Sequence, residues 1–193
     1  MHQNLSENIL IFCLGKSVIL IQTNNTGNKD AYKYPDNILD YHTSLSRYGF
    51  KIDNSVTFLI KACNNAFVSL CRSKQMSSKE NYYEIAFGSD HNFKLRIRRF
   101  HQQVESYKLM HAGVLDCYEY KAFWISWING SISIGKGVDR CQNEVLSWHD
   151  PNSFSIKSIG VMTGYGSTGE WLVLSYTGKI YLFITQLITV YLY

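Results

Sequence analysis

The stretch FWISWINGSISIGKG (Phe123–Gly137) contains two runs rich in aromatic and β-branched residues, separated by Asn129-Gly130. Asn and Gly tolerate the positive φ angles that a two-residue hairpin turn requires. The pattern therefore predicts two antiparallel strands joined by a tight turn. The glycines that end the stretch do not form a phosphate-binding loop, because such a loop has Ser or Thr directly after its lysine, whereas Gly137 follows Lys136 here.

Similar short runs, bounded by Gly, Asn, Asp or Pro, recur along the chain. They include VTFLIKACNNAFVSLC (Val56–Cys71), NYYEIAFG (Asn81–Gly88), EVLSW (Glu144–Trp148) and SFSIKSIGVMTG (Ser153–Gly164). We interpret the first as a hairpin around Asn64-Asn65. Aromatic residues make up 15% of the chain, only two prolines occur, and no segment sustains a helical period. These features predict an all-β protein, an antiparallel β-sandwich of the jelly-roll type.

The 193 residues are enough for one domain with a full hydrophobic core. Residues 1–55 are interpreted as an N-terminal leader, whose part from Gln22 to Ser55 is polar and weakly patterned. Its run Ile9–Ile21 gives residues 1–23 the character of an imperfect signal segment, since Lys16 interrupts the run and no basic residue opens it. The run is too short to span a bilayer, so no stable membrane insertion is expected. Residues 172–193 form a hydrophobic tail, interpreted as the last strands.

The sequence contains partial matches to several motifs of catalysis and cofactor binding, but it contains none of them in full. GYGSTG (Gly164–Gly169) has the glycine spacing of a dinucleotide-binding turn, but strand-like residues follow it and no acidic residue occurs after Glu170. His149-Asp150 belongs to a turn before Pro151. We therefore predict no catalytic, cofactor-binding or metal-binding residues. A net charge of +4 is too small to indicate nucleic acid as a partner, and the oligomeric state stays open.

The five cysteines permit two interpretations. They are an odd number and contain no CxxC pair, so they do not resemble a zinc site. They are either buried free thiols, which pack as small apolar residues, or include disulfides of a secreted domain. Three glycosylation sequons, at Asn4, Asn24 and Asn129, are compatible with secretion but arise easily by chance.

The run FKLRIRRF (Phe93–Phe100) alternates apolar and basic residues. On a strand this places Lys94, Arg96 and Arg98 on one face, about 6–7 Å apart. Such a row suits the repeated charges of an anionic glycan or another surface ligand, since Arg binds sulfate and carboxylate groups in a bidentate manner. The alternative is a solvated face whose cations pair across strands with Glu84 or Glu105.

The run FWISWI (Phe123–Ile128) places its two tryptophans on opposite faces of one strand. A sandwich strand buries one face, and the face with Phe123, Ile125 and Trp127 is the more apolar. We therefore predict that Trp127 points into the core. Trp124 is then expected on the outer face, either available to a ligand or covered by the N-terminal leader.

Five quoted motifs also carry a family resemblance. FLIKACNNAFVSL, YYEIAFG with NFKLRIRR, GVLDCYEYKAFWISWINGSISIGKG, VLSWHDP and IGVMTGYGSTGEW occur in an order and spacing similar to that of the farnesoic acid O-methyltransferase domain family, found repeatedly in mollusc and arthropod proteins. The resemblance covers residues 56–171, about 60% of the chain. It implies a compact β-sandwich, often in secreted proteins.

The resemblance leaves two functional hypotheses. The family name implies an S-adenosylmethionine-dependent O-methyltransferase acting on farnesoic acid. The residues themselves favour the other hypothesis, a non-catalytic extracellular ligand-recognition domain without a cofactor; a cytosolic location is the alternative to secretion. Cys63 and Cys117 lie within the family-like core, at the edges of strand-like runs, and are expected to pair if the protein is secreted.

Overall fold

The computed structural model describes residues 17–26, 38–100, 104–140 and 142–175. These residues form two β-sheets that pack face to face, which confirms the predicted all-β sandwich. Within these ranges the helical elements are two short 3₁₀ turns and one irregular turn, at Ile38–Tyr41, Leu45–Tyr48 and Ser89–Asn92.

The strands are numbered in chain order. The first sheet has the spatial order β1 (Ser17–Thr23), β13 (Gly169–Ser175), β4 (Ser55–Ala62), β9 (Lys121–Ile128), β10 (Ser131–Lys136) and β11 (Glu144–His149). The second has the order β2 (Asn25–Thr26), β12 (Ser158–Gly164), β5 (Ala66–Cys71), β6 (Tyr82–Gly88), β7 (Lys94–Arg99) and β8 (Val104–Leu109), with β3 (Thr43–Ser44) also on β12. All pairings are antiparallel except β2 with β12.

The core lies between the two sheets and follows the period-two alternation of the strands. Each strand contributes its inward-facing apolar residues, such as Phe58 and Ile60 from β4 and Ile85 and Phe87 from β6. A second apolar cluster covers the outer side of the second sheet, where Ile38 and Leu39 of the first 3₁₀ turn pack over Phe67 and Met162. The second sheet is therefore buried on both sides over β5 and β12, which explains their continuous apolar runs.

The strands around Asn64-Asn65 are correctly predicted, but their interpretation as a hairpin is wrong. β4 pairs with β13 and β9 in the first sheet, whereas β5 pairs with β12 and β6 in the second. The two strands have strongly apolar inward faces, which are buried more completely by packing across the core than side by side. The turn, with φ of 49° at Asn65, therefore crosses between the sheets.

Residues on both sides of the predicted 56–171 domain belong to the sandwich. β1 pairs along its whole length with β13, and β2 and β3 pair with β12. The interpretation of residues 1–55 as a leader therefore does not apply to β1, β2 and β3, which are strands of the sandwich. Residues 1–16 and 27–37, with most of the predicted signal segment, and residues 176–193 of the tail lie outside the described residues. In the described part of the chain, no helix is long and apolar enough to cross a membrane.

Candidate functional site

Strand β7 carries the three predicted ligand-binding cations, Lys94, Arg96 and Arg98, which we call the cation face. Leu95 and Ile97 between them are buried in the core, which confirms the predicted alternation. The cations therefore lie together on the outer side of the second sheet.

Internal partners already engage the cation face, as Lys94 and Arg98 show. Arg98 donates to Glu84 on the neighbouring strand, with Nη2 and Oε1 2.6 Å apart, and the Glu84 side chain is only 1% exposed. The Lys94 ammonium lies 3.3 Å from Asp90 and 4.8 Å from the ring centre of Tyr107. Arg96 lies opposite Ala86 and Tyr107 in the strand register. The pairing of Arg98 with Glu84 is the alternative that the sequence left open, and ligand binding by the cation face stays a prediction.

The expectation that Trp124 is available to a ligand is not met. Trp124 does lie on the outer face of β9, but it is only 2% exposed. Its indole N–H donates to the carbonyl of Gln142, 2.8 Å away, so the loop between β10 and β11 covers it. Its strand neighbour is Gly135, where even a Cβ atom would overlap the indole ring. Trp124 is therefore a structural residue.

The direction of the other face of β9 is as predicted, because Phe123 and Ile125 are buried in the core and Trp127 packs against it. The prediction that Trp127 is the more buried of the two tryptophans is wrong, since Trp124 is almost completely buried. Trp127 is only half-buried, because it lies at the end of β9 where the sandwich opens. Its backbone N–H donates to the carbonyl of Asn54, 2.9 Å away, which attaches the segment before β4 to this end of the sheet.

A cavity of about 530 Å³ opens beside Trp127, and we call it the cleft. Three segments distant in sequence surround it: residues 52–54, the turn between β9 and β10, and residues 153–156 after β11. Its aromatic residues are Trp127, Tyr83 and Phe154; its polar residues are Asp53, Asn54, Asn129, Ser153 and Ser155; Ile52, Gly130, Ile132 and Ile156 complete the lining.

The polar side chains that line the cleft have no hydrogen-bond or ion-pair partner among the described residues. In the described part of the chain, none of the side chains of Asp53, Asn54, Asn129, Ser153 and Ser155 makes a hydrogen bond or ion pair. All five residues are exposed to solvent. The cleft thus combines rings with hydrogen-bonding groups that are open to a ligand, the usual composition of a small-molecule site.

The turn between β9 and β10 is the predicted one. Asn129 and Gly130 have φ angles of 50° and 78°. Gly130 packs closely against the residues after β11: the Asp150 N–H donates to its carbonyl over 2.8 Å, and a Cβ atom at Gly130 would lie 2.8 Å from the carbonyl oxygen of Asp150. Only glycine fits there, and the contact fixes Asn129 at the cleft.

A buried ionic network supports the opposite wall of the cleft. The Asp150 carboxylate accepts hydrogen bonds from the Tyr83 hydroxyl over 2.6 Å and from Arg99 over 2.5 Å, and Asp150 and Arg99 are each 4% exposed. Arg99 also donates to the carbonyl of Asn152, and Phe154 stacks on Tyr83 with ring centres 4.5 Å apart. Burial, followed by the bond to Asp150, raises the pKa of Tyr83, so its hydroxyl remains a donor.

Sequence reasoning missed this network. It treated His149-Asp150 as a turn and did not consider Arg99, which ends β7 and points inward, unlike Lys94, Arg96 and Arg98. The available signal was the odd position of Arg99 in the alternating run: a cation on the apolar face of a strand requires a buried partner.

Cys63 and Cys117 form the expected disulfide, with Cα atoms 4.1 Å apart. It joins the residue after β4 to the loop before β9, and the neighbouring Ala62 N–H donates to the carbonyl of Asp116. Cys71 is a buried free thiol, and its burial raises its pKa to about 11. Cys13 and Cys141 lie outside the described residues.

The glycine-rich Gly164–Gly169 segment is a turn between strands β12 and β13. Its φ angles of 53° at Tyr165 and 102° at Gly166 belong to a strand connection. The N-terminus of a helix, which a nucleotide-type cofactor uses, does not follow, so these residues do not fit S-adenosylmethionine. In the described part, no three His, Cys, Asp or Glu side chains are grouped as metal ligands would be.

The chain shows likenesses to known proteins. The family model described as Farnesoic acid O-methyl transferase matches residues 28–176. A 74-residue stretch, 36% of the chain, is 35% identical to a BTB/POZ domain-containing protein of Arabidopsis thaliana; it spans only 8% of that protein.

Solved structures with a similar fold include a glycosidic hydrolase, with 13% identity over 86% of this chain and 78% of the other and a TM-score of 0.50. A lichenase from a mouse hindgut metagenome has 11% identity over 64% and 66% of the two chains, with a TM-score of 0.45. A galectin from Caenorhabditis elegans has 12% identity over 63% and 79%, with a TM-score of 0.40. At such identities the likeness concerns the β-sandwich fold alone.

Proposed function

The chain belongs to the farnesoic acid O-methyltransferase family, and we propose that it is a recognition domain that binds a glycan in the cleft. The observation that carries the proposal is the joint presence of Trp127 and a set of unused polar side chains around one cavity of about 530 Å³. The likeness to a glycosidic hydrolase concerns the fold and is not a ground for the proposal.

A sugar ring has the two kinds of surface that the cleft offers. Its axial C–H groups form an apolar face that packs on an aromatic ring, and its rim is a circle of hydroxyl groups. Trp127 is a half-buried indole whose ring lines the cavity. The amides of Asn54 and Asn129 both donate and accept hydrogen bonds, and the Asp53 carboxylate accepts them, so the polar set is matched to hydroxyl groups.

The walls of the cleft are pre-organised, which lowers the entropic cost of binding. Asn129 is held in place because the neighbouring Gly130 packs closely against the backbone of Asp150. Phe154 is held in place by its stacking on Tyr83. The Cys63–Cys117 disulfide supports an oxidising, extracellular compartment for the domain. Glycans are the abundant ligands of such a compartment, and the binding proposed here requires no catalytic group.

The decisive experiment is binding of the protein to an array of neutral and anionic oligosaccharides, followed by calorimetry with the strongest ligands. The protein is made with the disulfide formed but without N-glycans, because the Asn129 sequon lies at the cleft. We expect saturable binding that Trp127→Ala abolishes and Trp127→Phe partly retains. Asn54→Ala, an exposed change with little structural cost, is expected to weaken binding several-fold.

The matched control is Tyr118→Ala, which removes an aromatic side chain that is 90% exposed and does not line the cleft. Its affinity should equal that of the wild type. A folded protein that binds no glycan of the array, or a Trp127→Ala variant that binds as the wild type does, refutes the proposal.

The second candidate function is the methyl transfer that the family name implies. Its specific prediction is binding of S-adenosylmethionine, which calorimetry measures directly. We expect no heat of binding, because the glycine-rich turn connects two strands. Saturable binding of S-adenosylmethionine would favour the enzyme over the recognition domain.

A further inference from the structure

We infer that the cleft selects neutral glycans against anionic ones, and that Asp53 is the residue that determines this selectivity. The inference rests on the proposed function, since it names the class of glycan that the same site accepts. It is opposite to the anionic ligand that the sequence suggested for the cation face.

The charges around the cleft support this selectivity. Of the described residues that line the cavity, Asp53 alone carries a charge. A site for sulfate or carboxylate groups normally places Arg or Lys side chains in its wall, where their donors meet the anion. The described lining of the cleft contains no such residue.

The cation of the buried network, Arg99, does not change this balance. Arg99 supports the cleft from behind, but it is 4% exposed and its guanidinium donates to the Asp150 carboxylate and the Asn152 carbonyl. Asp150 cancels its charge at a distance of 2.5 Å. A ligand in the cleft therefore meets the carboxylate of Asp53 without a compensating cation among the described lining residues.

Asp53 also keeps its carboxylate available. It is exposed, and it makes no hydrogen bond or ion pair in the described part of the chain. It lines a second cavity of about 710 Å³ as well, where Asp139 and Arg140 contribute one charge of each sign. Asp53 is thus placed at the junction of both cavities, and the neighbouring pair adds no net positive charge.

The chemistry of a carboxylate explains the discrimination. Its two oxygens accept hydrogen bonds from two adjacent hydroxyl groups, which every neutral pyranose offers. A uronic acid or a sulfate ester brings a negative charge to the same place and is repelled. At contact distances and near-surface dielectric conditions, such repulsion amounts to about tenfold in affinity or more, and salt reduces it.

The experiment compares one sugar with its own acid. The tightest neutral hexose oligosaccharide from the array is oxidised at C6, which converts its primary hydroxyls to carboxylates and keeps its linkages. Calorimetry at low ionic strength should show that the oxidised form binds at least about tenfold more weakly than the neutral form. The difference should shrink in 0.5 M salt, while the affinity for the neutral form stays constant.

Asp53→Asn identifies the residue responsible. Asn keeps one of the two acceptor oxygens and removes the charge, so the neutral ligand should bind several-fold more weakly, while the oxidised ligand is no longer repelled. The ratio of the two affinities should therefore fall toward one. Glu80→Gln is the matched control: it removes one negative charge from an exposed residue outside the cleft and should leave the discrimination unchanged.

The outcomes separate the two proposals. If the array yields no ligand, the proposed function itself fails. If the strongest ligands are anionic, or if a neutral ligand and its oxidised form bind equally well, glycan recognition stands and the selectivity is refuted. If the discrimination exists but survives Asp53→Asn, its assignment to Asp53 is wrong.

Discussion

The cation face and the cleft use neighbouring residues of one strand in opposite ways. On β6, Glu84 points to the outer side and pairs with Arg98, whereas Tyr83 points between the sheets and lines the cleft. On the cation face, Lys94 and Arg98 each have a carboxylate partner. The polar side chains of the cleft have no hydrogen-bond or ion-pair partner within the described part of the chain.

The difference shows that charge and ligand capacity are separate properties. A row of cations on a strand is conspicuous in a sequence, but an internal carboxylate that neutralises a cation also removes much of its attraction for a ligand. A side-chain amide without a protein partner does not stand out in a sequence, yet it can exchange a water molecule for a ligand without breaking a contact within the protein. Stability measurements on the first region and binding measurements on the second can therefore separate them.

Breaking the Arg98–Glu84 pair is expected to have the largest effect. Arg98→Met removes the cation next to a carboxylate that is 1% exposed. Removing one partner of a buried pair typically costs about 3–5 kcal/mol, and we expect a loss of this size in the free energy of unfolding measured with urea. Lys94→Met is the matched control, because its partner Asp90 is 56% exposed, and should change stability by less than about 0.5 kcal/mol. Equal effects of the two variants would contradict the contrast.

The two tryptophans of β9 should separate stability from binding. Trp124→Ala removes an indole that is 2% exposed and should cost about 3–5 kcal/mol. Trp127→Ala removes a half-buried indole and should cost about half as much, because less apolar area is lost. Urea denaturation gives both values. A larger loss for Trp127 than for Trp124 would show that Trp127 is mainly a core residue and would weaken its role in the cleft.

His42 should make the stability of the second sheet dependent on pH. It packs near Gly160 on the outer side of that sheet, and its Nδ1 lies 3.2 Å from the Ile38 carbonyl. Its Nε2 is buried and has no hydrogen-bond partner among the residues that the structure describes. Burial lowers the pKa of His42 from 6.5 to about 4. As the pH falls, the unfolded chain therefore binds the proton before the folded protein does. The contribution of His42 to the free energy of unfolding is fully present above pH 6.5 and is lost as the pH drops toward 4.

The size of this loss follows from the pKa difference and is about 3 kcal/mol. Urea denaturation at several pH values should show it, and His42→Leu should flatten the curve between pH 6.5 and 4. An unchanged curve in the variant would mean that other groups cause the acid sensitivity. His91→Leu serves as a control for a histidine on the exposed surface.

Local patterns predicted the elements that depend on neighbouring residues. The alternation of β7, the turn at Asn129-Gly130 and the inward face of Phe123 and Ile125 each follow from a few adjacent side chains. The crossing of the chain between sheets at Asn64-Asn65 was missed, because a turn sequence does not specify whether its two strands pair or face each other.

The cleft could not be predicted for a related reason. Residues 52–54, 127–130 and 153–156 meet only because β4, β9 and β10 are neighbours and because Asp150 is seated on Gly130. Trp124 shows the same limit: its position on the outer face followed from the period of two, but its cover depends on where the loop carrying Gln142 folds. Contacts between residues distant in sequence therefore decide which residues on the outer face of a strand are exposed to solvent.

The smallest effect is expected for the cation face as a ligand site. Arg98 has to stay, since its loss destabilises the fold, so the informative variant is Lys94→Gln with Arg96→Gln. If internal carboxylates already satisfy this face, the variant should elute from a heparin column at a salt concentration close to that of the wild type. The matched control is Arg47→Gln with Lys74→Gln, which removes two exposed cations elsewhere. Both variants lose two positive charges, so a general effect of net charge shifts them equally. A clearly earlier elution of the β7 variant alone would show that Lys94 and Arg96 exchange their internal contacts for sulfate groups, and the contrast between the two regions would then fail.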